Sequence, residues 1–498
     1  MGVPLGRAVT SVETAVAEAN AQALGLSTDV LMENAGRVVA EEVVRALPTP
    51  QARLAIVAGP GNNGGDGFCA GHYLLEWGYR PEVWLVTPPA QIRTNAARRC
   101  YERIARRCPF HIGVPSAEEL AAFPLVVDAL LGTGQSGTLR SPFREAVRAV
   151  RESGVPVLSI DVPTGATDPE GLRPQRTVAL AAPKAEFADS SPGEVIVRDI
   201  GIPEAAWRET GPGDFLYLRR AGGTEGRGRT GRLVVIGGGP YAGAPALAGL
   251  AALRSGAERA TIFAPGGAAD RIQSFSPNLI VRAFGKDRFT PADVGPMLRY
   301  LDQTPPRAVV MGMGVGTESE TLEALRGLTR SIVGRYPVVI DADALAVLPD
   351  IVRGRALAHP VLATPNGGEF IRVFHGPKDG APEERRAVAR TAGQELGITI
   401  VAKGDPDLIT DGVEVYENRH HALAMTVGVS GDVLGGVLGS LLAQGLGATG
   451  AALLGTYWVG EAGLRVAATK GDGLVATDLI EELPAALVAG LGRVRHSA

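Results

Sequence analysis

Short runs of β-branched residues alternate with Ala-, Leu- and Arg-rich stretches of helical length along almost the whole chain. That rhythm admits few architectures. A strand that feeds a helix and then another strand returns in parallel to the same sheet, and helices must cover the faces. The first half places strands at residues 54–59, 82–86, 125–130 and 155–161, behind a helical stretch over 11–47. The rhythm stops at Ala221-Gly222-Gly223-Thr224-Glu225-Gly226-Arg227-Gly228, a composition that suits a linker. It restarts with strands at 233–239, 260–265, 308–314, 338–343, 361–365 and 398–404. No repeat relates the two halves, and 498 residues are too many for one core. The expectation is two different α/β domains, 1–220 and 221–498.

Bulk properties exclude some classes of partner. A formal charge of −4, with no run of Lys or Arg, argues against nucleic acid and against an anionic membrane surface. The 28 residues from 433 to 460 carry no charge, but they hold eight glycines and Gln444. Buried helices fit them better than a membrane span. Three cysteines, Cys69, Cys100 and Cys108, cannot frame a chain of this length with disulfides. Their number fits a reducing, cytoplasmic setting. The opening Met1-Gly2-Val3-Pro4-Leu5-Gly6 has neither an apolar signal core nor the hydroxyl that lipidation prefers.

Chemistry concentrates where strands end. Strand 54–59 runs into Pro60-Gly61-Asn62-Asn63-Gly64-Gly65-Asp66-Gly67, read as a Gly-rich turn ahead of a helix from Phe68 to Trp77. It is neither a P-loop nor a dinucleotide fingerprint. A tight turn would explain the glycines alone. Two Asn and an Asp at the carboxyl end of a parallel strand point instead to a ligand crevice. Asp128, followed by Gly132 to Thr138, and Asp161, followed by Thr164, close two further strands toward the same crevice.

These pieces, with Leu31-Met32-Glu33-Asn34-Ala35-Gly36 and Asp199-Ile200-Gly201-Ile202-Pro203, make residues 10–215 resemble the NAD(P)H-hydrate epimerases, a Rossmann-like three-layer fold. The resemblance implies a potassium ion held by Asn63, Asp128 and Thr164, all hard oxygen donors. Thr164 stands where the family usually has Ser and keeps the hydroxyl. Substrate contacts are implied for Asn62, Asn63, Gly64, Gly65 and Asp66, and for Gly132, Thr133, Gly134, Gln135, Ser136, Gly137 and Thr138. Asp161 is implied as the acid/base at the nicotinamide ring.

In the second half, Gly428-Val429-Ser430-Gly431-Asp432 precedes a helical apolar pattern through Val433, Leu434, Val437, Leu438, Leu441 and Leu442. Asp432 is therefore expected in the first turn of a buried helix. There, backbone N–H groups can receive a phosphoryl group while the carboxylate takes a proton from a hydroxyl. A helix-capping Asp is the plainer alternative. Upstream stand Gly237 to Ala244, Gly312 to Gly316, Asp341 to Leu345, Thr364 to Glu369 and Ala402 to Gly404. In this order, residues 225–495 resemble the ribokinase-like ADP-dependent NAD(P)H-hydrate dehydratases. The resemblance implies nucleotide contacts at Lys403, Gly404, Asp405, Pro406, Asp407 and Gly431. It implies hydrated nicotinamide contacts at Ala244, Gly316, Asn366 and Asp432, with Asp432 catalytic, ADP the co-substrate and Mg2+ the cofactor there. Asn366 replaces a usual His, Ser430 a usual Thr and Met313 a usual Pro. His420-His421 has the wrong spacing for a metal pair on a helix and reads as a surface loop, while His72 reads as packing or solvated.

Together the two resemblances imply repair of hydrated NADH and NADPH. One half would interconvert the R and S hydrates, and the other would dehydrate the S form, converting ADP to AMP and phosphate. A different reading stays open: a kinase for a vitamin-like alcohol, fused to a protein-binding module that has lost its reaction. A homo-oligomer is compatible with either.

Overall fold

The structure, a computed structural model, describes residues 7–135, 137–220, 231–378, 380–425 and 430–494. The chain divides into two compact units, Met1–Trp207 and Arg208–Ala498.

The first unit is built on one sheet of seven strands: β1 (Arg53–Ala58), β2 (Arg80–Leu85), β3 (Phe110–Ile112), β4 (Val126–Ala129), β5 (Val157–Ile160), β6 (Arg176–Leu180) and β7 (Glu194–Arg198). Their order is β3-β2-β1-β4-β5-β6-β7, every pairing parallel. Side chains alternate across the sheet. Ala55 and Val57 face a core with Leu120, Ala146, Val147 and Val150. On the opposite face Ile56, Ala129 and Ile160 lie close under Gly67 of helix Asn62–Glu76. This is the expected three-layer arrangement. The strand order reverses between β1 and β4, and a parallel sheet opens a crevice at the carboxyl ends of such a pair.

The second unit has nine strands: β8 (Arg232–Ile236), β9 (Arg259–Ala264), β10 (Ile280–Ala283), β11 (Ala308–Met311), β12 (Val338–Ile340), β13 (Val361–Ala363), β14 (Thr399–Ala402), β15 (Asp407–Thr410) and β16 (Val415–Asn418). Their order is β10-β9-β8-β11-β12-β13-β14-β15-β16. Pairing is parallel through β14 and antiparallel for the last three. Helix Ser430–Ala443 crosses this sheet so closely that a Cβ on Gly439 would lie 2.2 Å from Val310. It also packs on helix Gly243–Arg254, where a Cβ on Gly436 would lie 2.1 Å from the Ala248 carbonyl. The uncharged stretch is thus two buried helices, as expected. Among the described residues no helix is long and apolar enough to cross a membrane.

The compact units divide in sequence at Trp207/Arg208, and Phe215, fully buried, packs 6.1 and 6.0 Å from the rings of Tyr457 and Trp458 within the second. The linker at 221–228 itself lies outside the described residues. The cysteines behave differently from expectation. Cys69 and Cys100 adjoin, Cα to Cα 5.3 Å, and are joined as a disulfide, leaving Cys108 free.

Candidate active sites

In the first unit the helix begins earlier than expected. Asn62 to Gly67 are not a loop but the opening turns of Asn62–Glu76, with Gly61 before them. The glycines serve close approach: a Cβ on Gly64 would lie 1.9 Å from the Gly59 carbonyl. The helix N-terminus therefore sits directly on the end of β1, its first N–H groups free of helical partners.

Around it the structure gathers the residues read from the sequence. Asp128 is fully buried. Its carboxylate accepts from Thr164 Oγ1 at 2.7 Å, Thr164 N at 3.0 Å, Ser159 Oγ at 2.8 Å and Leu130 N at 3.2 Å. Burial pushes its carboxyl up, and those hydrogen bonds oppose the push. Asn63 lies against Gly132, and among the described residues both polar atoms of its amide are buried without a partner. A buried amide with nothing to bond is costly, so it marks a place where another group belongs. Asn62 accepts from the Thr94 hydroxyl at 2.7 Å. Gln135 is already engaged: it donates to the Pro163 carbonyl at 3.0 Å and accepts from Gly165 N at 2.7 Å, tying two loops together. Gly132, Thr133, Gly134, Gly137 and Thr138 follow β4 in the chain, whereas Ser136 lies outside the described residues.

Asp161 sits in the left-handed region at φ +62°, a strained backbone that tight surroundings must hold. Lys184 holds it. This lysine, its side chain wholly buried, sits 3.0 Å from Asp161 Oδ1 and donates to the Leu180 carbonyl at 2.8 Å. Burial, helped by Asp161 and Glu18, pushes the Asp66 carboxyl well up. An acid of raised proton affinity and a Lys-paired carboxylate thus share one crevice, a pairing suited to proton transfer. Lys184 was not singled out from the sequence. Its signal was a lone charge in the apolar run Ala181-Ala182-Pro183-Lys184 just past β6.

In the second unit Asp432 lies in the first turn of helix Ser430–Ala443, as expected, and is 8% exposed. Residues 428 and 429 of that motif lie outside the described residues. Burial pushes the Asp432 carboxyl up to about 7, Asp341 and Glu369 adding to the effect and Lys403 opposing it. Lys403, at the end of β14, places Nζ 3.0 Å from Asp341 Oδ1 and 2.9 Å from where a Cβ on Gly431 would stand. Asp341 was read only as part of a motif, yet it is 2% exposed at the end of β12 and central to this cluster.

The remaining expected residues take more structural parts. Asp407 closes its own loop, accepting from Gly404 N at 2.8 Å and from Asn418 Nδ2 at 3.0 Å. Arg385, which the sequence did not flag, braces that loop by donating to the carbonyls of Ala402, Lys403 and Pro406. Asp405 is exposed at its tip. Asn366 caps helix Gly367–Phe374 in a capping box with Glu369, and Ala244 opens helix Gly243–Arg254. Gly316 donates its N–H to Asp343 at 2.9 Å. Met313 is buried against Gly435, so that departure is a matter of packing. His420 is not a loose surface residue. It stacks on Tyr457 at 4.4 Å and reaches Glu461 at 2.8 Å. His72 is buried and packed, 2.8 Å from Arg107.

Comparison with known proteins agrees with this division. Residues 233–485 match the family model described as NAD(P)H-hydrate dehydratase, and residues 28–185 match that described as YjeF-related protein N-terminus. The chain is 38% identical to the bifunctional NAD(P)H-hydrate repair enzyme Nnr of Pyrobaculum aerophilum, over 96% of this chain and 97% of that protein. It is 36% identical to the protein of the same name from Hyperthermus butylicus, over 97% and 93%. A crystal structure of the ADP/ATP-dependent NAD(P)H-hydrate dehydratase from Bacillus subtilis is 23% identical, with a TM-score of 0.46, over 55% of this chain and 97% of that one.

Proposed function

The chain belongs to the bifunctional NAD(P)H-hydrate repair enzymes, and from that premise we propose how its residues divide the work. The N-terminal unit is the epimerase and the C-terminal unit the ADP-dependent dehydratase. The observation that carries the division is that each unit holds its own buried acid/base cluster, Asp161 with Lys184 and Asp66 in one, Asp432 with Asp341 and Lys403 in the other.

In the epimerase, Asp161 moves the proton at the hydrated carbon while Asp66, whose proton affinity burial raises, supplies one to the opposite side of the exchange. The nicotinamide portion meets Asn62 to Asp66 and the loop from Gly132. Asn63, Asp128 and Thr164 offer oxygen of low total charge, which suits a monovalent cation and not a divalent one. The orphaned Asn63 amide supports potassium there, where the ion would fix loop and helix and offset charge near the substrate.

In the dehydratase, Asp432 takes the proton of the ring hydroxyl as its oxygen attacks the terminal phosphorus of ADP, and the bond to AMP breaks. The ring then expels inorganic phosphate and loses a proton from the neighbouring carbon, restoring the double bond. N–H groups about Gly431 and the Lys403 ammonium face the transferring phosphoryl group, where Mg2+ bound with the nucleotide would offset phosphate charge. The kinase reading with an inert N-terminal module fits less well, because relatives matched over nearly their full length are named bifunctional NAD(P)H-hydrate repair enzymes. The test is to incubate the protein with both hydrate epimers and ADP. Full return of nicotinamide absorbance is expected. Recovery of half the hydrate would remove the epimerase, and a stable phosphoester product would replace the dehydratase by a kinase.

A further inference from the structure

The helix that presents Asn62, Asn63 and Asp66 packs on two others, Thr28–Ala46 and Asn95–Ile104, and the second meets it at successive points along its length. Thr94, capping that neighbour, donates to Asn62 Oδ1 at 2.7 Å. One turn on, the Ala97 methyl would touch a Cβ on Gly65 at 2.9 Å. Next come Cys100 and Cys69, and last Ile104, which would meet a Cβ on Gly71 at 2.4 Å. The cysteine pair is a rung in this ladder, one turn from Asp66. A Cα separation of 5.3 Å falls within the range a disulfide spans.

We propose that Cys69 and Cys100 form a thiol–disulfide site whose oxidised state holds the substrate helix of the epimerase in register. The two thiols give up two hydrogens, as two protons and two electrons, and the S–S bond forms. A small-molecule disulfide takes the electrons, its own S–S bond breaking into two thiols. Cys69 is fully buried and Cys100 is 5% exposed, so the bond forms as the unit folds, and reduction waits on local opening. Cys108 does not compete. It is half-buried, its Sγ donates to the Ile104 carbonyl, and burial pushes its thiol up to about 11, leaving almost no thiolate at neutral pH.

The other use for two adjacent sulfurs is a thiophilic metal, with Glu33 as third ligand within 4.8 Å. Glu33 is already committed to Arg103 and to the Tyr73 hydroxyl at 3.0 Å. A carboxylate so engaged leaves the sulfurs to each other.

The full chain is denatured without reductant and treated with a thiol-alkylating reagent. One label is expected, on Cys108, rising to three after reduction, the number of cysteines in the chain. Reduced and oxidised protein are then compared under native conditions. Epimerisation is expected to fall about tenfold on reduction, since a misplacement on the order of 1 Å costs up to a hundredfold, and dehydration to stay unchanged. Melting of the N-terminal unit should drop by roughly 10 °C, because the bond closes a 31-residue loop. Cys100→Ser should mimic reduction, and Cys108→Ser should not. Three labels without reductant, or zinc retained by the purified protein, would overturn the disulfide. Equal epimerisation in both states would overturn its role. If neither state epimerised, the proposed function would fail while labelling and melting still decided the bond.

Discussion

Lys403 Nζ and Asp341 Oδ1 meet at 3.0 Å against the start of helix Ser430–Ala443, where Asp341 Oδ2 also comes within 3.7 Å of a Cβ placed on Gly435. The pair sets the field at Asp432 from two sides, Asp341 raising its proton affinity and Lys403 lowering it. A general base works only when deprotonated, so dehydration should fall as pH drops through about 7. Asp341→Asn removes the repulsion and leaves Lys403 free to favour the carboxylate. The acid limb of the pH–rate profile should move down by about one pH unit or more. An unmoved limb with a lower plateau would make Asp341 a packing residue only.

Asp432→Asn keeps the shape of the helix terminus and removes the base. Dehydration should fall by about a hundredfold to ten-thousandfold, while nucleotide affinity and epimerisation, measured on the same preparation, hold. A near-normal rate would reduce Asp432 to a helix cap.

Asn63→Ala removes an amide that bonds to nothing among the described residues. Leaving a buried polar group unmade costs about 1–3 kcal/mol, so losing it should destabilise the unit by less than about 1 kcal/mol in the absence of potassium. Epimerisation should lose its response to potassium. Undiminished stimulation by the ion would take Asn63 out of its site.

Asp214 is 2% exposed, accepts from Gly211 N at 2.8 Å, and burial pushes its carboxyl up to about 7. A carboxyl whose folded value lies above its unfolded value contributes stability at low pH and loses it as pH rises through the folded value. Between pH 4 and 7 this group should cost the second unit roughly 1.4 kcal/mol per pH unit at most. Asp214→Asn should flatten that slope in melting measurements over the same range. Parallel slopes would show that other groups dominate.

Much of this was legible in the sequence, and the failures share a cause. Interior strands such as β1, β8, β11 and β12 are largely apolar on both faces and announce themselves. Edge strands β7 and β10 keep exposed residues and lack that signature. Asp128, Thr164 and Asp432 were legible because a polar residue at a strand end or helix start stands out from its neighbours. Lys184 and Asp341 matter through partners distant in sequence, and local pattern carries no record of those. Asn62 to Gly67 looked like a turn because glycine usually makes one. Here glycine lets two backbones touch, which depends on what lies opposite. Cys69 and Cys100 were misjudged for the same reason, since counting cysteines says nothing of which helices run side by side.

Helix Ala448–Lys470 shows where such proximity leads. A methyl group on Gly455 would strike Leu438 at 2.6 Å, one on Gly460 the His420 carbonyl at 1.7 Å, and one on Gly463 the Met425 sulfur at 2.0 Å. Selection along this segment therefore reads bulk before polarity. Alanine, harmless by any hydropathy scale, is shut out by backbone at Gly460 and admitted at Gly455 and Gly463 only if Leu438 and Met425 move aside, so a saturation scan would find the smallest substitution at Gly460 as damaging as charge elsewhere in the helix.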